Sequence, residues 1–284
     1  MANAQYGSGL NLDALMVPTQ AATVFAAQEN SLYLPGTMVP IVQVPAGSAS
    51  AQVAVMGSVT ASAITSEGTG TDPQDFDTLL PSDAKVPVAL QLIAARTVLR
   101  DFGGIDTADM GRIMGNAIAA KVDSLVSAKL GDLFDGTTGG TAPIAPGSNL
   151  LHDLYDAIGI IRGNGETGTL ACVVAPAAYG DFMEKIGSSA FAGGETQNAA
   201  MRSGFIGMIA GVPCYVSASY GTHSGLGTPK FTVFSQDALR IAMQGGVNLE
   251  VERRAAAVGN DIVASAAFGV DIIDETRGVS YGTA

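Results

Sequence analysis

The first lysine or arginine in the chain is Lys85. The residues before it hold seven acids (Asp13, Glu29, Glu67, Asp72, Asp75, Asp77 and Asp83), a charge of −7 out of −12 for all 284 residues. Residues 30–66 carry no ionisable side chain apart from Tyr33. Long surface helices need interleaved Lys, Arg and Glu on their exposed faces, so a helical bundle is excluded for this part. The rest is little richer. Charged residues make up 14% of the chain, against about 25% in an ordinary soluble domain. Hydrophobic residues reach 47%, enough apolar surface to offset the entropy of ordering and to exclude disorder. What covers the outside is then either neutral polar side chains (Ser, Thr, Asn, Gln and Gly abound) or other protein chains.

No basic tail exists to neutralise phosphates, so wrapping nucleic acid or docking on an anionic membrane is disfavoured. The opening Met1-Ala2-Asn3-Ala4-Gln5-Tyr6 has no positive or apolar region, so no secretory signal is expected. The uncharged stretch 30–66 is broken by Pro35, Pro40 and Pro45 and lacks an apolar run long enough to span a bilayer. Cys172 and Cys214 sit in apolar runs and read as buried free thiols, with a disulfide as the minor reading. That usage fits a reducing cytoplasm.

Residues 1–38 read as an arm with a short helical stretch around Leu10–Gln28, limited by Pro18. Alternating apolar runs from Met38 to Met56 predict strands. Residues 64–83 are acidic and turn-rich, a loop tip, and Lys85–Ile93 predicts a returning strand, making 39–95 one long β-excursion. Asp106 opens the clearest helix, with apolar positions from Met110 to Phe134 at helical spacing and Gly136 to end it. At 1.5 Å per residue it would be roughly 40–45 Å long. Beyond a linker at Gly136–Asn149 the pattern predicts helices at Leu150–Arg162 and Ala177–Ile186. Strands are predicted at Thr169–Ala175, Val212–Ala218, Phe231–Phe234, Val247–Arg253, Ile262–Phe268 and Val270–Asp274. Residues 187–201 look mobile, 221–229 form a Gly-rich loop, and Val258–Asp261 reads as a turn.

The catalytic inventory is thin. His152 and His223 are the only histidines, and neither lies at ligand spacing from a cysteine or from the other. Phosphate-binding, nucleophile-elbow and zinc-protease motifs are absent. Asp101-Phe102-Gly103 matches a kinase triplet without the accompanying catalytic loop. Asp72, Asp75 and Asp77 lack the glycine and terminal glutamate of a calcium loop. The sequence therefore assigns no catalytic, cofactor-binding or metal-binding residue.

Three stretches in order carry a resemblance. They are Ala63–Gly68 with Phe76-Asp77 and Lys85-Val86-Pro87-Val88; the helix Asp106–Phe134; and Phe205–Ser217 followed by Gly259-Asn260-Asp261, Ile262–Gly269 and Arg277-Gly278-Val279. This arrangement resembles the major capsid proteins of tailed double-stranded DNA bacteriophages, the Hong Kong 97-like fold. The resemblance implies an α+β chain divided as an N-terminal arm (1–38), an E-loop (39–98) and a P-domain with a long spine helix (99–145). An α/β A-domain (146–239), a P-domain β-hairpin (240–270) and a C-terminal strand returning to the A-domain (271–284) complete it.

The function so implied is a structural protein that self-associates into an icosahedral shell around a viral double-stranded DNA genome. It would assemble in the host bacterial cytoplasm and reside in the virion. Its implied partners are copies of itself as hexamers and pentamers, a separate scaffolding protein, a portal protein and a decoration or cement protein. DNA would be enclosed without tight specific binding, and no membrane or cofactor is implied. An encapsulin-like nanocompartment shell is the alternative within the fold, and a cytoplasmic enzyme the remote one outside it. The scaffold is expected to be separate because only about forty residues precede the first strands, with no heptad-rich segment among them. The expected inter-subunit contacts pair the acidic tip (Glu67, Asp72, Asp75, Asp77) with Arg112, Arg253 or Arg254 of a neighbour. Lys85 is the one lysine of the excursion and Asn260 its one plausible partner for an isopeptide bond, which is not expected to form.

Overall fold

The structure is a computed structural model. It describes residues 22–24, 26–27, 31–56, 83–100, 107–188, 205–220, 228–254, 256 and 258–283. The N-terminal part of the predicted arm helix, Asp106, the acidic tip, and most of the 187–201 and 221–229 segments lie outside these residues.

Two sheets share one long helix. The first sheet has four strands in the order β1-β9-β10-β4, from β1 (Ile41–Gln43), β4 (Gln91–Arg100), β9 (Leu239–Arg254) and β10 (Gly259–Ile272). The second has five, in the order β11-β8-β5-β7-β6. These are β5 (Leu170–Val174), β6 (Phe205–Ile209), β7 (Val212–Val216), β8 (Thr228–Ser235) and β11 (Gly278–Thr283). A separate ribbon pairs β2 (Ser50–Met56) with β3 (Asp83–Ala89). Helix α1 (Thr107–Gly131) lies against β10 and β4 of the first sheet and touches β8 and β11 of the second. Helices α2 (Leu150–Gly163) and α3 (Pro176–Ser188) cover the far face of the second sheet.

Strand β5 shows how the layers are held. Every residue of Leu170-Ala171-Cys172-Val173-Val174 is buried, because the strand is central and both its faces are covered. Ala171 and Val173 point into the core beneath α1, with Val122, Val126, Leu130, Ile262 and Phe268. Leu170, Cys172 and Val174 point into the second core with Leu154, Ile161 and Phe182. There Phe231 meets Phe182 edge-on and stacks on Tyr281, with centroids 5.3 Å and 4.9 Å apart. Cys172 and Cys214 are direct neighbours in the β5–β7 pairing, and both are buried free thiols. Burial, followed by contact with Cys214, pushes the Cys172 thiol well above its ordinary pKa.

The predicted excursion needs correction at both ends. Strand β1 pairs in parallel with β9, and β4 pairs with β10, so both belong to the four-stranded sheet. The predicted strand Lys85–Ile93 is in fact two strands that change partner at Leu90. At that corner the backbone of Ala89 passes directly over Gly269 of β10, with its carbonyl carbon 2.9 Å from where a Cβ would stand. Only glycine admits so close a crossing.

The long helix is 25 residues, about 37 Å, and ends five residues before Gly136. Its last turn gives way because Leu133 is buried against Gly278 and the Phe134 carbonyl accepts the Ser280 N–H at 2.7 Å. Pairing with β11 outcompetes helical periodicity.

Strands β9 and β10 run unbroken where the sequence predicts shorter pieces. On β9, Gly245 and Gly246 add two residues opposite Ala266, where the register shifts. Because two is the strand period, Met243 and Leu249 stay on one face on either side of the irregularity. Gly245 adopts φ +67°, the left-handed conformation that favours glycine. The chain turns before Gly259, so Asn260 and Asp261 are already paired strand residues rather than turn residues.

Candidate assembly interface

The side chains predicted to meet a neighbour divide into three groups. Glu67, Asp72, Asp75 and Asp77 lie outside the described residues. Lys85 is exposed on β3, opposite Ala54 of the ribbon. The arginines stand on the body of the molecule. Arg112 is exposed on α1 and sits 3.8 Å from Asp109 one turn earlier. Arg253 and Arg254 end β9, where Arg253 Nη1 is 3.5 Å from Asn260 Oδ1 and Arg254 Nη1 is 4.0 Å from Asp261 Oδ2. Fold and register thus bring Arg253 and Arg254 to one end of the four-stranded sheet. Arg100 of β4 lies in the same row, through Gly259.

A stronger ionic contact at this end lies between residues that the sequence did not single out as a pair. Arg96 of β4 donates its Nε–H to both Asp261 oxygens, each 2.9 Å away, and its Nη2 adds a further bond to Oδ2. The Arg96 hydrogen bond is the main reason that the Asp261 carboxyl is held below the usual carboxylate range. Asp261 is nearly covered while Arg96 is about half exposed, so one arginine pins two strands and still faces outward. The signal in the sequence was a basic residue amid the outward alternation Leu92, Ala94, Arg96, Val98, but no local pattern names its partner.

The turn closing this end contains Val258, a β-branched residue at φ +47° with half its surface in solvent. Left-handed backbone is disfavoured for such a residue, and its apolar side chain meets water here. Leu92 on β4 and Ile113 on α1 are likewise exposed, at 74% and 61%.

A second ionic cluster lies at the opposite end of the hairpin. Arg277 Nη1 is 2.9 Å from Glu166 Oε2 and 3.4 Å from Asp237 Oδ2, and its Nε is 2.9 Å from Asp274 Oδ2. One arginine therefore ties the loop after α2, the β8–β9 turn and the turn before β11. His152 is exposed on α2, 3.6 Å from Asp156, and His223 lies outside the described residues. Among the described residues no group of three or more His, Cys, Asp or Glu could hold a metal ion, and no helix is long and apolar enough to cross a membrane. What the described surface offers is strand edges, exposed apolar residues and charge, the materials of protein–protein contact.

No family model matches the sequence. No curated protein matches it either. Solved structures do. The capsid of the cyanophage P-SCSP1u aligns over 87% of this chain and 86% of its own, at 16% identity and a TM-score of 0.63. The mature capsid of bacteriophage PhiM1 aligns over 89% and 87%, at 15% identity and a TM-score of 0.62. A virus-like particle from Pyrococcus furiosus aligns over 93% and 97%, at 13% identity and a TM-score of 0.63. Similarity this complete at so little identity is similarity of fold, and it agrees with the resemblance read from the order of the sequence elements. The chain has the α+β fold of these capsid and virus-like-particle proteins.

Proposed function

We propose that this chain is a major capsid protein, a structural subunit that assembles into an icosahedral shell around the double-stranded DNA of a tailed phage. The observation that carries the reading is the alignment of 87–89% of the chain with 86–87% of phage capsid chains. Physical features support it. A two-stranded ribbon is marginal in water by itself, and laying it on a neighbouring subunit would bury its faces. A net charge of −12 suits the wall of a container that should not grip its DNA. On this reading β2–β3 and the segment between them form the projecting part of the E-loop, and α1 is the spine of the P-domain. The five-stranded sheet with α2 and α3 is then the A-domain. The partners are further copies in hexamers and pentamers, a separate scaffolding protein, a portal protein and a decoration protein. An encapsulin-like shell is the second reading, favoured by the match to the virus-like particle, and the cargo, DNA or enzyme, separates the two.

Sedimentation of the purified chain, alone and with a co-expressed scaffolding protein, tests this reading. Uniform closed shells are expected only with the scaffold; uniform shells formed by the chain alone at physiological concentration would contradict the separate scaffold. Failure to form any particle in either case would count against the capsid role. Dissociated shells should run as a monomer on a denaturing gel, since Lys85 and Asn260 are not expected to be joined. A ladder of multimers would overturn that.

The acidic tip at Glu67, Asp72, Asp75 and Asp77 is assigned to Arg112, Arg253 or Arg254 of an adjacent subunit. Each such exposed pair contributes only about 0–1 kcal/mol, and salt screens it. Reversing Arg253 and Arg254 to glutamate should therefore slow assembly at low salt more than at high salt. Equal slowing at both would argue against the contact.

A further inference from the structure

The arm is fastened to α1 by a buried carboxylate. Asp123, in the middle of α1, is 8% exposed. Its Oδ1 accepts the Ser31 hydroxyl at 2.5 Å, and its Oδ2 accepts the Leu32 backbone N–H at 3.1 Å. Ser31 Oγ in turn accepts the Leu34 N–H at 3.1 Å. Tyr33 of the arm is fully buried in the core beneath α1, its hydroxyl 3.5 Å from Ser127 Oγ, and Val24, Leu32 and Leu34 pack against that core. Thr23, Ala26 and Ala27 of the arm and Ala119 of α1 are buried, and the Thr23 carbonyl and the Ala26 Cβ crowd the place where Gly115 would carry a side chain. Apolar burial therefore holds this stretch of the arm on α1, and the carboxylate is a polar fastening set within it.

Among the described residues, no cation stands within ion-pair distance of Asp123. The titratable groups beside this region are Tyr33 on the arm and, through Tyr33, Tyr220 in the turn after β7. Burial drives both phenols upward, so both remain neutral. Asp123 is therefore a desolvated carboxylate balanced only by hydrogen bonds. We infer that Asp123 is a proton-operated latch, which holds the arm loosely when ionised and firmly when protonated.

The geometry allows both states. A serine hydroxyl accepts as readily as it donates. A proton on Oδ1 can be donated to Ser31 Oγ in place of the 3.3 Å bond that this oxygen accepts from the Tyr33 N–H, the longer of its two, while Oδ2 keeps the Leu32 N–H. Protonation thus removes the cost of burying a charge and gives up only the weakest of these contacts. Burial is the largest influence on the Asp123 carboxyl and raises its pKa, against the hydrogen bonds that lower it. The sign follows by linkage. A docked-state pKa above the undocked one means that the docked state takes up the proton, so docking strengthens as pH falls through the docked-state value.

Hydrogen exchange on the unassembled full-length chain tests the latch, read as protection factors so that the intrinsic pH dependence divides out. At the Leu32 and Leu34 amides, protection should be severalfold higher at about pH 5 than at about pH 7.5. Asp123→Asn reproduces the protonated group, with its amide N–H donating to Ser31 and its carbonyl accepting from Leu32. It should be highly protected and nearly insensitive to pH. Asp123→Ala should be poorly protected at both values while β5 stays protected. Should the alanine variant lose protection in β5 as well, wild type against Asp123→Asn decides alone. Wild-type protection that is flat or falls in acid, or an asparagine variant no better protected than wild type at about pH 7.5, would overturn the latch. Either outcome leaves the shell reading intact, since the measurement involves one subunit.

Discussion

Replacing Gly269 by alanine is expected to lower the stability of the subunit by about 3 kcal/mol, at the upper end of ordinary overpacking. The new Cβ would stand against the backbone carbonyl of Ala89, which no rotamer change can move aside. Either β10 shifts or the root of the ribbon lifts. Lifting it strips the cover from the small core of Val44, Ala51, Val88 and Ala242. Thermal unfolding should show the midpoint falling by about 6–12 °C for a chain of this size. Gly159→Ala provides the contrast. That glycine is inside α2 with nothing within 4 Å of its added Cβ, so alanine should stabilise the chain by about 0.5–1 kcal/mol through helix propensity. An unchanged midpoint in Gly269→Ala would show that the crossing is not as close as described.

The second large effect is expected at Arg277. Its removal takes the cation from Glu166 and Asp274 and leaves Asp237 with Arg240 alone, and the Glu166 side chain is only 6% exposed. Breaking a fully buried pair costs about 3–5 kcal/mol. Arg277 keeps about a third of its surface in water, so screening reduces the expectation for Arg277→Ala to about 2–3 kcal/mol. Arg277→Lys should recover only part of this, because one ammonium cannot reproduce the fork that serves three carboxylates.

The loss should also depend on pH. Burial pushes the Asp274 carboxyl up, but hydrogen bonds from Thr276 and Arg277 outweigh it and hold the pKa below the ordinary range. A folded-state pKa that is depressed gives stability above the unfolded value and loses it as pH falls through the folded one. The gap between wild type and Arg277→Ala should therefore be widest near neutrality and narrow in acid, as urea titrations at several pH values would show. A gap that is constant or widens in acid would contradict the ionic account.

How much of this was legible depended on whether the determining force was local. Helix α1 announced itself because Met110, Met114, Ile118, Val122 and Val126 recur on one face, and all are buried. Its end is not legible in the sequence, because Leu133 and Phe134 continue that spacing while the Phe134 carbonyl is claimed by β11, some 145 residues away. The parallel pairing of Ile41 with Ile241 spans 200 residues. Alternation in β1 states only that a strand exists, so by sequence β1 reads as part of the excursion rather than of the main sheet. In β9, Gly245 and Gly246 interrupt the pattern locally and hide a strand that continues across them.

The ionic sites behave in the same way. Arg277 and Asp274 are three residues apart, but Glu166 and Asp237 reach them only through the fold. Asp261 looked like a turn residue beside Gly259-Asn260, and only the register with β4 reveals its arginine. The order of the elements, by contrast, is written along the chain, and that order carried the resemblance.

A three-dimensional reconstruction by electron cryomicroscopy of particles that contain this chain tests the central claim most directly. The account predicts a closed icosahedral shell whose repeating density is filled by this fold in hexamers and pentamers, with DNA inside mature particles. The ribbon β2–β3 should lie on a neighbouring subunit. Particles whose shell density this fold does not fit, or a chain recovered only as a small free monomer beside shells built from another protein, would contradict it.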